Sequence, residues 1–174
     1  MAPANPVQFT PPLAPAAEAS ERSARRNPNQ REKIDMTTNE NIIREVYAAA
    51  EGTSLDAGRF ASLFHEDGYF LDQASGMRWT GPEVRQPIHG LAGAFPDMHR
   101  ELLSFYSVGD AVIVELRLRG THLGDLVTAQ GVVPPTGETF DIPCCDVFHL
   151  RDGKVVSFHC YNEFPAWLNS LPGR

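Results

Sequence analysis

Between Glu138 and Glu163 apolar and polar residues alternate on both sides of Asp152-Gly153. That pattern predicts two long strands joined by a tight turn at Arg151-Asp152-Gly153-Lys154. On the first strand Phe140, Ile142, Cys144, Asp146, Phe148 and Leu150 share one face, apolar except at Asp146. This face should point inward and take the carboxylate into the core with it. On the second strand Val156, Phe158, Cys160 and Asn162 share a face, which places them beside the same interior.

Upstream, Ile42, Ile43, Val46, Tyr47 and Ala50 recur at helical spacing behind a capping box at Thr37-x-x-Glu40. A second helix is predicted after Ser54 with Leu55, Phe60, Leu63 and Phe64 as its stripe, closed by His65-Glu66-Asp67-Gly68. A short strand follows over Tyr69 to Gln73, with Phe70 and Asp72 on one face. Thr80-Gly81-Pro82-Glu83 opens a third helix through Val84, Ile88, Leu91 and Phe95, with a kink expected at Pro87. Two strands are predicted over Met98 to Val108 and Ala111 to Arg119. In the second, Val112, Val114, Leu116 and Leu118 face one way, Glu115, Arg117 and Arg119 the other, and His122 continues the inward parity. A Gly- and Pro-rich loop, Gly124 to Gly137, leads to the hairpin, and Phe164 to Leu171 should cover one end with Trp167 and Leu168. The element order predicts an α+β fold with helices packed into a curved, mainly antiparallel sheet.

Composition divides the chain at residue 36. Residues 1–36 are rich in Pro, Ala, Ser, Asn and Arg and have little to bury, so they are expected to form a disordered extension ahead of one domain over 37–174. The net charge is −7 over 174 residues, and residues 36–174 alone hold ten basic and eighteen acidic side chains. Such an acidic domain argues against nucleic acid or an anionic membrane as partner. No apolar run has the length of a membrane span. The prolines at positions 3, 6, 11, 12 and 15 break any secretory apolar region. Cys144, Cys145 and Cys160 make neither a disulfide framework nor a zinc pattern, and reduced thiols in a cytoplasmic protein are expected.

The element order, with Phe95-Pro96-Asp97, Gly120-Thr121-His122-Leu123-Gly124, Pro135-Thr136-Gly137 and Asp152-Gly153-Lys154-Val155-Val156, resembles the SnoaL-like polyketide cyclases. These belong to the nuclear-transport-factor-2-like superfamily, which includes ketosteroid isomerase and limonene epoxide hydrolase. The resemblance covers about Thr38 to Gly173 and implies a cone-shaped sheet wrapped around N-terminal helices, a homodimer and no cofactor or metal. Carried over from ketosteroid isomerase, the general base falls on Asp72, eight residues after Phe64 of Leu63-Phe64, and the oxyanion donors fall on Tyr47 and Asp146. Against the cyclases the match is mixed: their acid/base carboxylate falls on Cys160, and a nearby histidine falls on Asp146. The epoxide hydrolase pattern needs an Arg between two Asp, and Arg117 and Arg119 have outward parity.

The resemblance therefore implies an isomerase or cyclase that enolises an apolar carbonyl compound, with Asp72 as base and Tyr47 and Asp146 as donors. Each residue also has a structural reading: Asp72 as acceptor for loop amides, Tyr47 as a core residue, Asp146 as the buried partner of Tyr47 or His122. His122 is a second acid/base group or, preferably, a loop anchor. His89, Trp79, Phe95, Phe158, Cys160 and Asn162 are candidate lining residues, with core packing or helix exposure as alternatives. Two other readings stay open: a non-catalytic ligand- or partner-binding protein, and a dehydratase using Asp72 and His122. Val147 and Val155, among polar residues of the outward sheet face, favour the homodimer.

Overall fold

The alternating run before Asp152 forms a single 13-residue strand in the computed structural model, which describes residues 28–128 and 130–171. Helix α1 (Pro28–Ala50) is followed by a 3₁₀ turn at Gly52–Ser54, helix α2 (Ala57–Ser62) and strands β1 (Phe64–Asp72) and β2 (Arg78–Thr80). A second 3₁₀ turn, Gly81–Val84, runs into helix α3 (Arg85–Ala94), and then come β3 (His99–Val108) and β4 (Ala111–Thr121). Two short strands β5 (Leu126–Thr128) and β6 (Gly131–Val133), the long pair β7 (Thr139–Arg151) and β8 (Lys154–Asn162), and helix α4 (Phe164–Asn169) complete the chain. The main sheet is open, in the order β2-β1-β8-β7-β4-β3. Its pairs are antiparallel except β1 with β8. Among the described residues no helix is long and apolar enough to cross a membrane.

On β7 all six inward positions, Phe140 to Leu150, are buried, Asp146 included. The turn takes Asp152 and Gly153 through φ of 52° and 73°. Two successive left-handed residues match the twist of the flanking strands, which is why Asp-Gly suits the site.

Several expectations are corrected by the elements themselves. α1 starts at Pro28, so the capping box at Thr37 falls inside the helix; Pro at a first helical position sacrifices no internal bond. The expectations for residues 1–27 and 172–174 lie outside the described residues. α2 ends at Ser62, and Phe64 already belongs to β1, with a register shift between Phe64 and Tyr69 taking up the His65–Gly68 stretch. Pro87 falls in the first turn of α3, where a missing backbone N–H removes no helical bond. β5 and β6 form a small hairpin where a loop was expected.

On β8 a bulge changes the parity. Leu150 pairs with Val155 but His149 pairs with Ser157, leaving Val156 as the extra residue. Val155 is fully buried and Val156 only partly so. Val155 therefore does not contribute to an outward face, and the dimer expectation loses that residue.

Two apolar clusters fill the interior. One, under α1 and α2, includes Ile43, Val46, Phe60, Val114 and Phe148; the other, at the α4 end, gathers Phe95, Met98, Phe140 and Ile142 under Trp167 and Leu168. The junction at the second end is close. Leu123 and Gly124 both donate backbone bonds to the Ala94 carbonyl (3.0 and 3.1 Å), and a Cβ on Gly124 would stand 2.1 Å from the Gly93 carbonyl oxygen. Both neighbours are backbone, so Gly124→Ala is expected to cost about 1–3 kcal/mol, read as a lower urea midpoint at unchanged slope.

Candidate active site

The parallel pairing of β1 with β8 brings the site together. Asp72 is in register with Cys160, and Cys160 with Asp146. The three side chains thus stand in one row across adjacent strands, with the Cα atoms of Asp72 and Asp146 about 10 Å apart, two strand spacings. The next row is aromatic: Phe158 stacks on Phe70 at 4.4 Å and on Phe148 at 4.3 Å between centroids. On the other side Asn162 pairs with Cys144.

α1 crosses the concave face and delivers Tyr47 to this row. Its hydroxyl donates to Oδ2 of Asp146 at 2.8 Å, with both residues buried, and its ring meets Phe148 edge-on at 5.8 Å. The Cys144 thiol donates to Oδ1 of Asp146 at 3.3 Å and lies 3.6 Å from the Cys160 sulfur. Asp72 is held at the other end. Asn162 Nδ2 donates to its Oδ1 at 2.9 Å, and the Ser75 amide (3.2 Å) and hydroxyl donate to its Oδ2. A carboxylate offers about four lone-pair positions, so this leaves room for one more donor or a proton.

These groups border a cavity of about 980 Å³ between the sheet, α1, α3, α4 and the β5–β6 hairpin. Tyr47, Asp72, Trp79, Asp146, Phe158, Cys160 and Asn162 line it, and the exposed His89 stands on its rim. Trp79 lies 5.5 Å from Phe70. The walls are mostly apolar with a few convergent polar groups, the usual make-up of a small-molecule site.

Burial acts strongly on the polar row. It pushes Asp146 up to about 6, against hydrogen bonds from Tyr47, Cys160 and Cys144 and the charge of Arg100. Burial and the Asp146 carboxylate hold the Tyr47 hydroxyl well above its ordinary range. The Cys144 thiol is raised by its contact with Cys160 and by burial. For Cys160 the contact with Cys144 acts downward, but burial and Asp146 outweigh it. Donor atoms of Cys144, Asp146 and Cys160 lie within 4.8 Å of one another, so this is the group among the described residues that could hold a soft metal ion. Thiols held neutral are poor ligands, however, because the thiolate is the coordinating form.

Two expected site residues are elsewhere. His122 is fully buried at the second core, its Nδ1 3.1 Å from the Thr136 hydroxyl and its ring packed between Phe95 (5.3 Å) and Trp167 (6.1 Å). It does not line the cavity or touch Asp146, and its backbone ties the loop by bonds with Glu138 and Gly137. Phe95 is likewise a core residue, enclosed by Phe140, Phe164 and Trp167, and contributes nothing to the lining. Arg117 and Arg119 point outward to Asp141 and Glu101.

Among the lining residues with no role in the sequence analysis are two charged ones, Asp125 and Arg100. Arg100 on β3 reaches the cavity, where one Nη donates to the Ala50 carbonyl at the end of α1 and the other lies 3.4 Å from the Met98 sulfur. The available signal was its parity with Met98 and Leu102.

A family model described as a SnoaL-like domain matches residues 43–158. No curated protein sequence matches the chain. Among solved structures, a candidate SnoaL-like polyketide cyclase from Jannaschia sp. CCS1 is 21% identical, with a TM-score of 0.70 over 86% of this chain and 97% of its own. A Catenulispora acidiphila protein with a ketosteroid isomerase-like fold, in complex with trimethylamine, is 21% identical with a TM-score of 0.58, over 69% of this chain and 83% of its own. A candidate hydroxylase from Streptomyces galilaeus is also 21% identical, with a TM-score of 0.65 over 80% and 85%. At these identities the likeness concerns the fold, which is nuclear-transport-factor-2-like.

Proposed function

Because the chain belongs to the SnoaL-like domain family, we propose that it is an enzyme that enolises an apolar carbonyl compound, leading to polyketide-type ring closure or a double-bond shift. The observation that carries this reading is the buried 2.8 Å bond between Tyr47 and Asp146, facing a cavity whose other end holds Asp72.

Removing a proton α to a carbonyl needs a base at the carbon and donors at the oxygen that becomes negative, with water largely excluded. Asp72 takes the proton and becomes the carboxylic acid. The enolate oxygen settles between Tyr47 Oη and the protonated Asp146, oxygens close enough for one atom to receive hydrogen from both. Burial is what makes Asp146 a donor, since it lifts the carboxyl toward neutrality. Asp72 then returns the proton to a different carbon in a double-bond shift. In ring closure, the enolate carbon instead attacks a second carbonyl, whose oxygen takes the proton back from Asp72 and so restores the base. The stacked Phe70 and Phe158 form an apolar floor beside this row.

A binding-only cavity is the second reading, favoured by the three donors already on Asp72. Proton exchange separates the two without knowledge of the natural substrate. In heavy water, the protein is expected to accelerate deuterium incorporation α to the carbonyl of tetralone and similar apolar ketones, followed by NMR. Binding of these ketones with exchange no faster than in matched buffer would leave only the binding reading.

A further inference from the structure

Enolisation leaves Arg100 without a task. Its guanidinium is partly withdrawn from water, which works against its charge, while Glu51 and Asp146 support it electrostatically. Yet the Glu51 carboxylate is directed to the Arg100 backbone amide (3.0 Å) and to His99 (2.9 Å), not to the guanidinium. Arg59, Arg117, Arg119 and Arg151 each have a carboxylate partner at the surface; among the described residues Arg100 has none within ion-pair distance. In the protonated form required of an oxyanion donor, Asp146 no longer offsets this charge either. Holding the end of α1 uses one Nη, and the Met98 sulfur is a weak acceptor for the other. A half-buried cation with unspent donors beside an apolar cavity has room for an anion.

We propose that Arg100 is an anion subsite of this cavity, and that the ligand is an amphiphile with an apolar, planar body and a carboxylate. The body lies along the Phe70 and Phe158 floor and the carboxylate is received by the guanidinium. β1 and β3 lie toward opposite edges of the sheet, so an anion on Arg100 leaves the far end of the ligand to Asp72. The proposal rests on the enolisation reading only for that orientation, not for binding.

Naphthoate and its neutral carboxamide are suitable probes, because they share shape and differ in charge. By calorimetry at about pH 5, where Asp146 is protonated and naphthoate is still ionised, the intact protein is expected to bind naphthoate at least about tenfold more tightly than the carboxamide. Arg100→Met should remove that preference by weakening naphthoate alone, and Arg100→Lys should keep part of it. Should Arg100→Met fail to fold, Arg100→Lys and the acid–amide comparison in the intact protein still decide. Equal affinity for acid and amide, no binding of either, or an unchanged preference in Arg100→Met overturns the proposal. An acid preference without ketone exchange would leave the subsite standing and remove the enolisation reading; exchange without the preference would do the reverse.

Discussion

Asp72→Asn is expected to lower ketone α-proton exchange by about a thousandfold, within the range of roughly 10²–10⁴ associated with a positioned general base. The loss should fall on kcat with KM little changed, since the carboxylate acts on the proton and not on the body of the ligand. The fold should tolerate the change. Asn can still accept from the Ser75 amide and hydroxyl, and the cost is one mismatched contact with the Asn162 amide. Unchanged exchange in Asp72→Asn would show that Asp72 only anchors the Gln73–Met77 turn.

Asp146 should give the second large effect, and its two substitutions should differ. Asp146→Leu removes the donor and strands the Tyr47 hydroxyl, so exchange is expected to fall by about 10²–10³. Asp146→Asn keeps an N–H donor and an acceptor for Tyr47; it should lose far less and no longer respond to pH near 6. If Asp146 were instead the base, Asn would be as damaging as Leu. Stability supplies an independent check. Folding raises this carboxyl from 3.8 to about 6, so the stability it contributes is fully present below the unfolded value and is lost as pH rises through the folded one. Above pH 6 the penalty amounts to about 3 kcal/mol. Asp146→Asn is therefore expected to raise Tm at alkaline pH by roughly 6–12 °C and to make little difference at pH 4. An inward residue retained only for packing would show the opposite: loss of stability on replacement and no effect on exchange.

The residues whose placement was legible are those governed by local period. The alternation on β7 put Asp146 inside with Phe140, Ile142 and Phe148, and the helical spacing of Ile43, Val46 and Tyr47 turned Tyr47 to the same interior. What alternation cannot convey is which strand lies beside which. The row Asp72, Cys160 and Asp146 exists because β1 pairs with β8 in parallel, a contact between segments distant in sequence. Val155 was misplaced because the bulge at Val156 arises from pairing with β7, not from the residues themselves. His122 and Phe95 were correctly inward but belong to the other of two cores, a distinction fixed by where α4 and Trp167 close the sheet. β5 and β6 are too short for a period to emerge from a Gly- and Pro-rich stretch. Arg100 was passed over because a long charged side chain on an edge strand ordinarily reaches solvent.

The central claim is that burial turns Asp146 into a carboxylic acid aimed at the cavity, and infrared difference spectroscopy tests it most directly. Wild-type protein titrated against Asp146→Asn is expected to show one protonated-carboxyl C=O band, present at pH 5 and lost with a midpoint about 6. A band already gone by pH 5, with Asp146 titrating like an exposed carboxylate, would contradict it.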